Sequence, residues 1–328
     1  MFSFPQTRML REAELGRRRP FTAIQLIGLF FLVLLGSTTV QSLILSPAQV
    51  AAILSHPDFS TIINDGSLTM AAKVDALMNI ALPDWVMAVQ LFSTAAMVIG
   101  CILFCRYVEK RSLVSMGFVK KGAVPEYLFG LFIGFLMLFS ALGLCTLSGQ
   151  ISMPWQYGHY SLKYAPWASI MIFFAGYLIQ GLSEELLCRS FLMVSLSRGH
   201  KPWICILANS LLFSALHLFN KGITPLAFLN LTLFGIFASI YTLRRGSIWG
   251  IAAIHSMWNF TQGNVFGISV SGMNRAPSLF YVDLSRFPSW FGGGSFGLEG
   301  GVTVTAVLMI SIAIVWMTPT KPCELARE

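Results

Sequence analysis

Charge is what this sequence has least of. Asp, Glu, Lys and Arg together make up 11% of its 328 residues, where a soluble domain carries roughly 25%. With 55% hydrophobic residues and a mean hydropathy of +0.70, that shortage excludes a water-soluble globular domain and predicts an all-α polytopic membrane protein. Other absences narrow the function. No run of Lys or Arg interleaves with aromatics, so the net charge of +8 carries no nucleic-acid signal. The six cysteines, at 101, 105, 145, 188, 205 and 323, form no C-x-x-C pair and read as small buried residues rather than disulfides or metal ligands. H-E-x-x-H is missing, and with it the usual zinc-peptidase helix. No internal repeat is visible. The first apolar run, Phe21 to Leu45, is too long for a signal peptide and lacks a small-residue cleavage site; it is long enough to span and stay.

Seven further apolar runs follow, at Trp85–Phe104, Tyr127–Leu147, Trp167–Leu196, Trp203–Phe219, Pro225–Leu243, Ile248–Phe266 and Val302–Met317. They predict about eight transmembrane helices in one membrane domain, 21–318, between a basic N-terminal tail, 1–20, and a C-terminal tail, 319–328. Seventeen of the 22 Lys and Arg residues fall in the two tails and in alternate connections; five, at Lys73, Lys163, Lys221, Arg275 and Arg286, fall on the other side. The asymmetry places both termini in the cytoplasm, and the long connections 46–83 and 267–300 outside. The second of these is rich in Gly, Ser and Pro.

Three charges interrupt the fourth run: Glu184, Glu185 and Arg189. An ionisable group at that depth costs several kcal/mol and marks function by default. Glu185 and Arg189 are four apart and share a helical face, acid first, the favourable order for an ion pair. Glu184 lies about 100° away and faces Gln180 and Cys188. One carboxylate thus has a local partner and the other has none. Later runs bury His217, and His255 with Asn259 four residues on. Counted from the cytoplasmic boundary at about 1.5 Å per residue, Glu184, His217 and Asn259 lie about 21 Å deep and His255 about 15 Å. Four polar residues on three spans therefore fall in one layer near mid-membrane.

The chemistry such a layer offers is activation of water. A carboxylate in a low-dielectric pocket suits general-base work, an imidazole opposite can hold the same water or relay its proton, and a second His with an Asn can donate to a developing oxyanion. A zinc ion on Glu184, His217 and His255 is the alternative; direct water activation with no cofactor is preferred, since H-E-x-x-H is absent and an Asn amide is a poor zinc ligand. Glu185–Arg189 alone reads as a structural pair. Asn209 and Asn230 read as interhelical glue, with Asn230 also able to face a cavity, and Ser183, Ser214 and Ser256 as bonding back to their own helices. His56, His159 and His200 read as solvated.

In E-E-x-x-x-R at Glu184–Arg189, F-x-x-x-H at Phe213–His217 and H-x-x-x-N at His255–Asn259, the chain resembles the CAAX-protease and bacteriocin-processing (CPBP) intramembrane proteases, which include the type II CAAX prenyl endopeptidases. The likeness extends to 111–118, 244–249, 260–267 and 292–300 and covers about residues 85–318. The resemblance implies an eight-helix fold with an intramembrane cavity, Glu184 and His217 activating water, His255 and Asn259 stabilising the oxyanion, and Glu185, Arg189 and Phe213 in support. It leaves open whether a metal takes part. Some eukaryote-type members carry a second His three residues after the F-x-x-x-H histidine; Asn220 stands there, which favours the bacterial branch and a bacterial inner membrane. The expected partners are a peptide or membrane-protein substrate and membrane lipid, with no nucleic acid and an oligomeric state left open. A non-catalytic immunity or chaperone-like membrane protein is the second reading, and a proton-coupled carrier the third.

Overall fold

The computed structural model describes residues 7–17, 21–147, 156–157, 166–273, 277–282, 284 and 288–319. Cys323, His159, Lys163, Arg275, Arg286, Lys321, Arg327 and two arginines of the N-terminal tail, Arg18 and Arg19, lie outside them. After a short amphipathic helix, α1 (Arg8–Glu14), the chain runs through α2 (Ala23–Leu54), α3 (Phe59–Asn64), α4 (Met70–Met78), α5 (Asp84–Val108), α6 (Ala123–Leu147), α7 (Trp167–Ser197), α8 (Pro202–Ala215), α9 (Pro225–Arg245), α10 (Trp249–Phe260) and α11 (Val302–Met317). All eight apolar runs are helical over most of their length. Five of the helices, α2, α5, α6, α7 and α9, are long and apolar enough to cross a membrane, and α8 and α11 are shorter apolar helices. The protein is an all-α polytopic membrane protein. One two-residue antiparallel pairing, Gln156–Tyr157 with Phe280–Tyr281, joins two connections.

Local sequence sets the helix ends. Thr22 and Gln25 form a reciprocal capping box at the start of α2, which satisfies two of its orphan N–H groups. Pro202 and Pro225 occupy the first turns of α8 and α9, where a missing N–H costs nothing. Gly246 ends α9 at φ 62°, a left-handed conformation that glycine enters without steric cost. The first span runs further than the sequence suggests: α2 continues to Leu54 and carries Pro47 inside it. Hydropathy falls off after Leu45, but the helix continues past it.

Burial separates rim from centre. Only 17% of the most apolar stretch of α2 is covered by protein, against 67% for α9, so α2 is the lipid-facing rim and α9 the centre. Beside α9, α10 is gripped by glycines. A Cβ at Gly130 or Gly134 of α6 would fall on the carbonyl oxygens of Gly250 and Ile254, and one at Gly181 of α7 would fall on Ser256 Oγ. Small residues four apart let helix backbones touch, the main source of helix association in lipid. The helix that carries His255 and Asn259 is therefore fixed between α6 and α7.

Within α7 the helix widens. From Leu186 to Met193 it winds as a π-helix, with every residue buried. Such stretches cost hydrogen-bond geometry and recur at functional sites. Arg111, fully buried on the α5–α6 connection, supports this one: it donates to the Ser190 carbonyl at 2.9 Å and pairs with Glu109 at 2.8 Å. Ser195 Oγ donates to the same Glu109 carboxylate at 2.7 Å. The buried cysteines 101, 105, 188 and 205 are free thiols, and Cys145 is buried beside Thr303.

Candidate active site

The widened turn of α7 begins directly after the two glutamates, and they point to different neighbours. Glu185 is fully buried. Its Oε1 accepts from Arg189 Nη1 at 3.2 Å and from His255 Nδ1 at 2.8 Å. The expectation that Glu185 serves Arg189 alone is thus incomplete: its carboxylate also orients a histidine on α10. That bond puts a proton on Nδ1, whether or not Nε2 carries a second one, and turns Nε2 toward Glu184, whose Oε2 lies 3.7 Å off. A carboxylate fixing the far nitrogen of a working imidazole is a recurrent arrangement.

Glu184 is not without a local partner either. Gln180, one turn earlier, donates to its Oε1 at 2.6 Å, and Asn259 Nδ2 donates to Gln180 Oε1 at 3.0 Å. Gln180 therefore links the α7 carboxylate to the α10 amide, using both ends of its own amide. Among the described residues the other Glu184 oxygen, Oε2, has no hydrogen-bond partner. A buried carboxylate oxygen without a donor costs about 1–3 kcal/mol or more, and it borders a cavity.

Phe213 is the hub of the remaining contacts. The Arg189 guanidinium carbon sits 4.6 Å over its ring, within cation–π range, and the His217 and His255 rings lie 5.0 and 6.0 Å from it. Its carbonyl accepts from His217 Nδ1 at 2.9 Å, which leaves Nε2 of that ring with the lone pair. His217 is not on a helical span: α8 ends at Ala215, and His217 stands in the turns that follow. The depth estimate for it assumed helix throughout, yet the turn keeps it at the cavity.

That cavity, of about 170 Å³, is lined by Glu184, His217, His255 and Asn259 together, with Gln180, Asn230, Ser271 and Glu299 among its other walls. Glu299 is a residue that sequence reasoning missed. The connection 267–300, expected outside, in part folds inward: Phe296 and Leu298 are fully buried, and Glu299 is 8% exposed. Its Oε2 accepts from the Ser271 backbone N–H at 2.7 Å and the Ser271 hydroxyl at 2.8 Å. Burial pushes the Glu299 carboxyl above the ordinary carboxylate range, while the two Ser271 bonds pull the other way. Asn230 of α9 donates to the Glu299 and Gly301 carbonyls at 2.8 and 2.9 Å, so it faces the cavity and pins this connection. Asn209 bonds Ser239 Oγ across α8 and α9 at 2.8 Å, as expected of interhelical glue. Ser183 and Ser214 bond back to their own helices; Ser256 Oγ has no hydrogen-bond partner among the described residues. The signal for Glu299 was a carboxylate immediately before an apolar run, in a segment whose glycine content masked it.

Among the described residues no three His, Cys, Asp or Glu side chains converge to hold a metal ion. Glu184, His217 and His255 share the cavity without forming a three-ligand set, and His255 Nδ1 is already committed to Glu185.

Residues 166–261 match the family model described as Rce1-like, type II CAAX prenyl endopeptidase Rce1-like. The chain carries an Rce1-like domain. That domain runs from the start of α7 into the turn after α10, so it contains all seven residues of the three motifs and excludes Glu299. It indicates a peptidase of the CAAX-protease type, with a peptide or protein as substrate. No curated protein and no solved structure matches the chain.

Proposed function

We propose that the protein is an intramembrane endopeptidase that hydrolyses a peptide bond in a membrane-associated or lipidated peptide or protein. The observation that carries this reading is the Glu184 Oε2 atom: buried, without a donor, 3.7 Å from His255 Nε2 and on the wall of the cavity that His217 and Asn259 also line.

On this reading Glu184 is the general base. It takes a proton from a water in the cavity, and His217 Nε2, the lone-pair nitrogen of its ring, helps to hold that water. The hydroxide oxygen bonds to the scissile carbonyl carbon. Charge then collects on the carbonyl oxygen, where the protonated His255 ring donates from Nε2 and Asn259 donates with the amide hydrogen not used by Gln180. Preorganised donors of this kind typically contribute 10²–10³-fold each. When the C–N bond breaks, Glu184 returns the proton to the departing amine, leaving a carboxylic acid and an amine. Glu185, Arg189 and Phe213 act through His255 and His217 as positioning residues. No step in this sequence requires a metal.

The excess of Lys and Arg in the tails and alternate connections supports placing both termini on the cytoplasmic side, in keeping with a bacterial inner membrane. The test compares the membrane peptidome of cells expressing the wild type with that of cells expressing Glu184→Gln. New termini present with the first and missing with the second identify substrate and cleavage site together. Identical peptidomes, with both proteins folded, would overturn the assignment.

A further inference from the structure

A second hollow lies on the other face of α11 and is set apart from the cavity by its chemistry. Val304 and Leu308 of α11 face the cavity, whereas Val307, Ile310, Ser311, Ile314 and Val315 line a groove of about 760 Å³ with one wall from α6 and another from α9. Its α6 wall runs from Phe129 to Leu147, 18 residues and so about 27 Å. One leaflet of the hydrocarbon core is about 15 Å thick, so the groove has room for an acyl chain lying along it. The walls are apolar, and a Cβ added at Gly143 would meet no atom within 4 Å.

One end of the groove is cationic. Arg244 and Arg245 close α9 there, beside Thr318 at the end of α11. Arg245 lies 3.7 Å from Glu126, which offsets one of the two charges. Arg244 donates to the Thr318 carbonyl and lies 5.6 Å over the Trp316 ring; among the described residues neither partner is an anion. Among the described residues a net positive charge therefore remains at the mouth of an acyl-sized apolar groove. We infer that the groove between α6, α9 and α11 binds an anionic phospholipid, with an acyl chain along Gly143 and the headgroup phosphate against Arg244 and Arg245. A zwitterionic lipid supplies the same chain but no net charge to answer the arginines. Basic pockets between membrane helices recur as sites for acidic headgroups.

The experiment equilibrates the full-length protein with mixed micelles of phosphatidylglycerol or phosphatidylcholine and counts retained lipid by native mass spectrometry. The expected result is one retained phosphatidylglycerol and weaker retention of phosphatidylcholine. Arg244→Gln reduces phosphatidylglycerol retention about fivefold, the worth of one basic side chain at an anionic surface, and leaves phosphatidylcholine unchanged. Gly143→Phe fills open space, so it folds as the wild type does and displaces both lipids. Equal retention of the two lipids, or retention indifferent to both substitutions, means annular lipid only and overturns the site. Melting of each variant in lipid-free detergent separates a lost site from a lost fold. None of these readouts involves peptide cleavage, so this site and the endopeptidase reading stand or fall separately.

Discussion

Exchanging each of the two adjacent glutamates for glutamine should give opposite signatures. Glu185→Gln removes the only carboxylate bonded to Arg189 among the described residues, and both side chains are fully buried. A buried guanidinium left without its counter-charge costs about 3–5 kcal/mol, and the 2.8 Å bond from His255 then goes to a neutral amide oxygen instead of a carboxylate, which weakens it. Glu184→Gln keeps the shape of a side chain that is 27% exposed to the cavity, and its amide oxygen still accepts from Gln180. Its stability should change by no more than about 1 kcal/mol, the worth of one ordinary hydrogen bond. Its rate should fall about 10²–10⁴-fold, because the amide cannot take the proton. Far-UV circular dichroism melts in detergent, beside cleavage of a substrate found by peptidomics, read both quantities on each variant. The expected pattern is a stable, inactive Glu184→Gln and a destabilised Glu185→Gln. A Glu184→Gln protein that melts with Glu185→Gln, or that cleaves within tenfold of the wild type, refutes the division of labour.

Three other substitutions test the surroundings. Gly134→Ala places a methyl group on the Ile254 carbonyl, next to His255; it should cost about 1–3 kcal/mol through overpacking, read by thermal melting, with a loss of rate beside it. Asn259→Ala removes one oxyanion donor and should lower the rate about 10²–10³-fold with little change in KM. Ser271→Ala deletes the hydroxyl that bonds Glu299 at 2.8 Å; it should cost about 1.5–3 kcal/mol, as for a hydrogen bond to a charged group, and double-mutant melting with Glu299→Gln should show the two changes to be non-additive.

Much of the site could be read before any coordinates because its signals are local. Charges inside apolar runs stand out at once, and helical spacing alone pairs Glu185 with Arg189 and His255 with Asn259. Spacing also puts Gln180 on the face of Glu184, although it does not say that an amide there would bond that carboxylate and also reach α10. Motifs on separate spans could be brought to one depth by counting residues, and the cavity does gather Glu184, His217, His255 and Asn259.

What spacing cannot give is which faces of different helices meet. Glu185 finds His255 because α10 is held by Gly130 and Gly134 on one side and Gly181 on the other, and contacts between helices carry no period along the chain. Glu299 enters the cavity through a connection rich in glycine, whose backbone has too many accessible conformations for its path to be read from residue types. The sequence by itself determined the membrane class, the helical segments and the residues able to do chemistry, since these follow from hydropathy and from a 3.6-residue repeat. Only the tertiary structure decided which carboxylate orients a histidine, which one keeps an oxygen open to the cavity, and which third carboxylate joins them, because each depends on contacts between residues tens of positions apart.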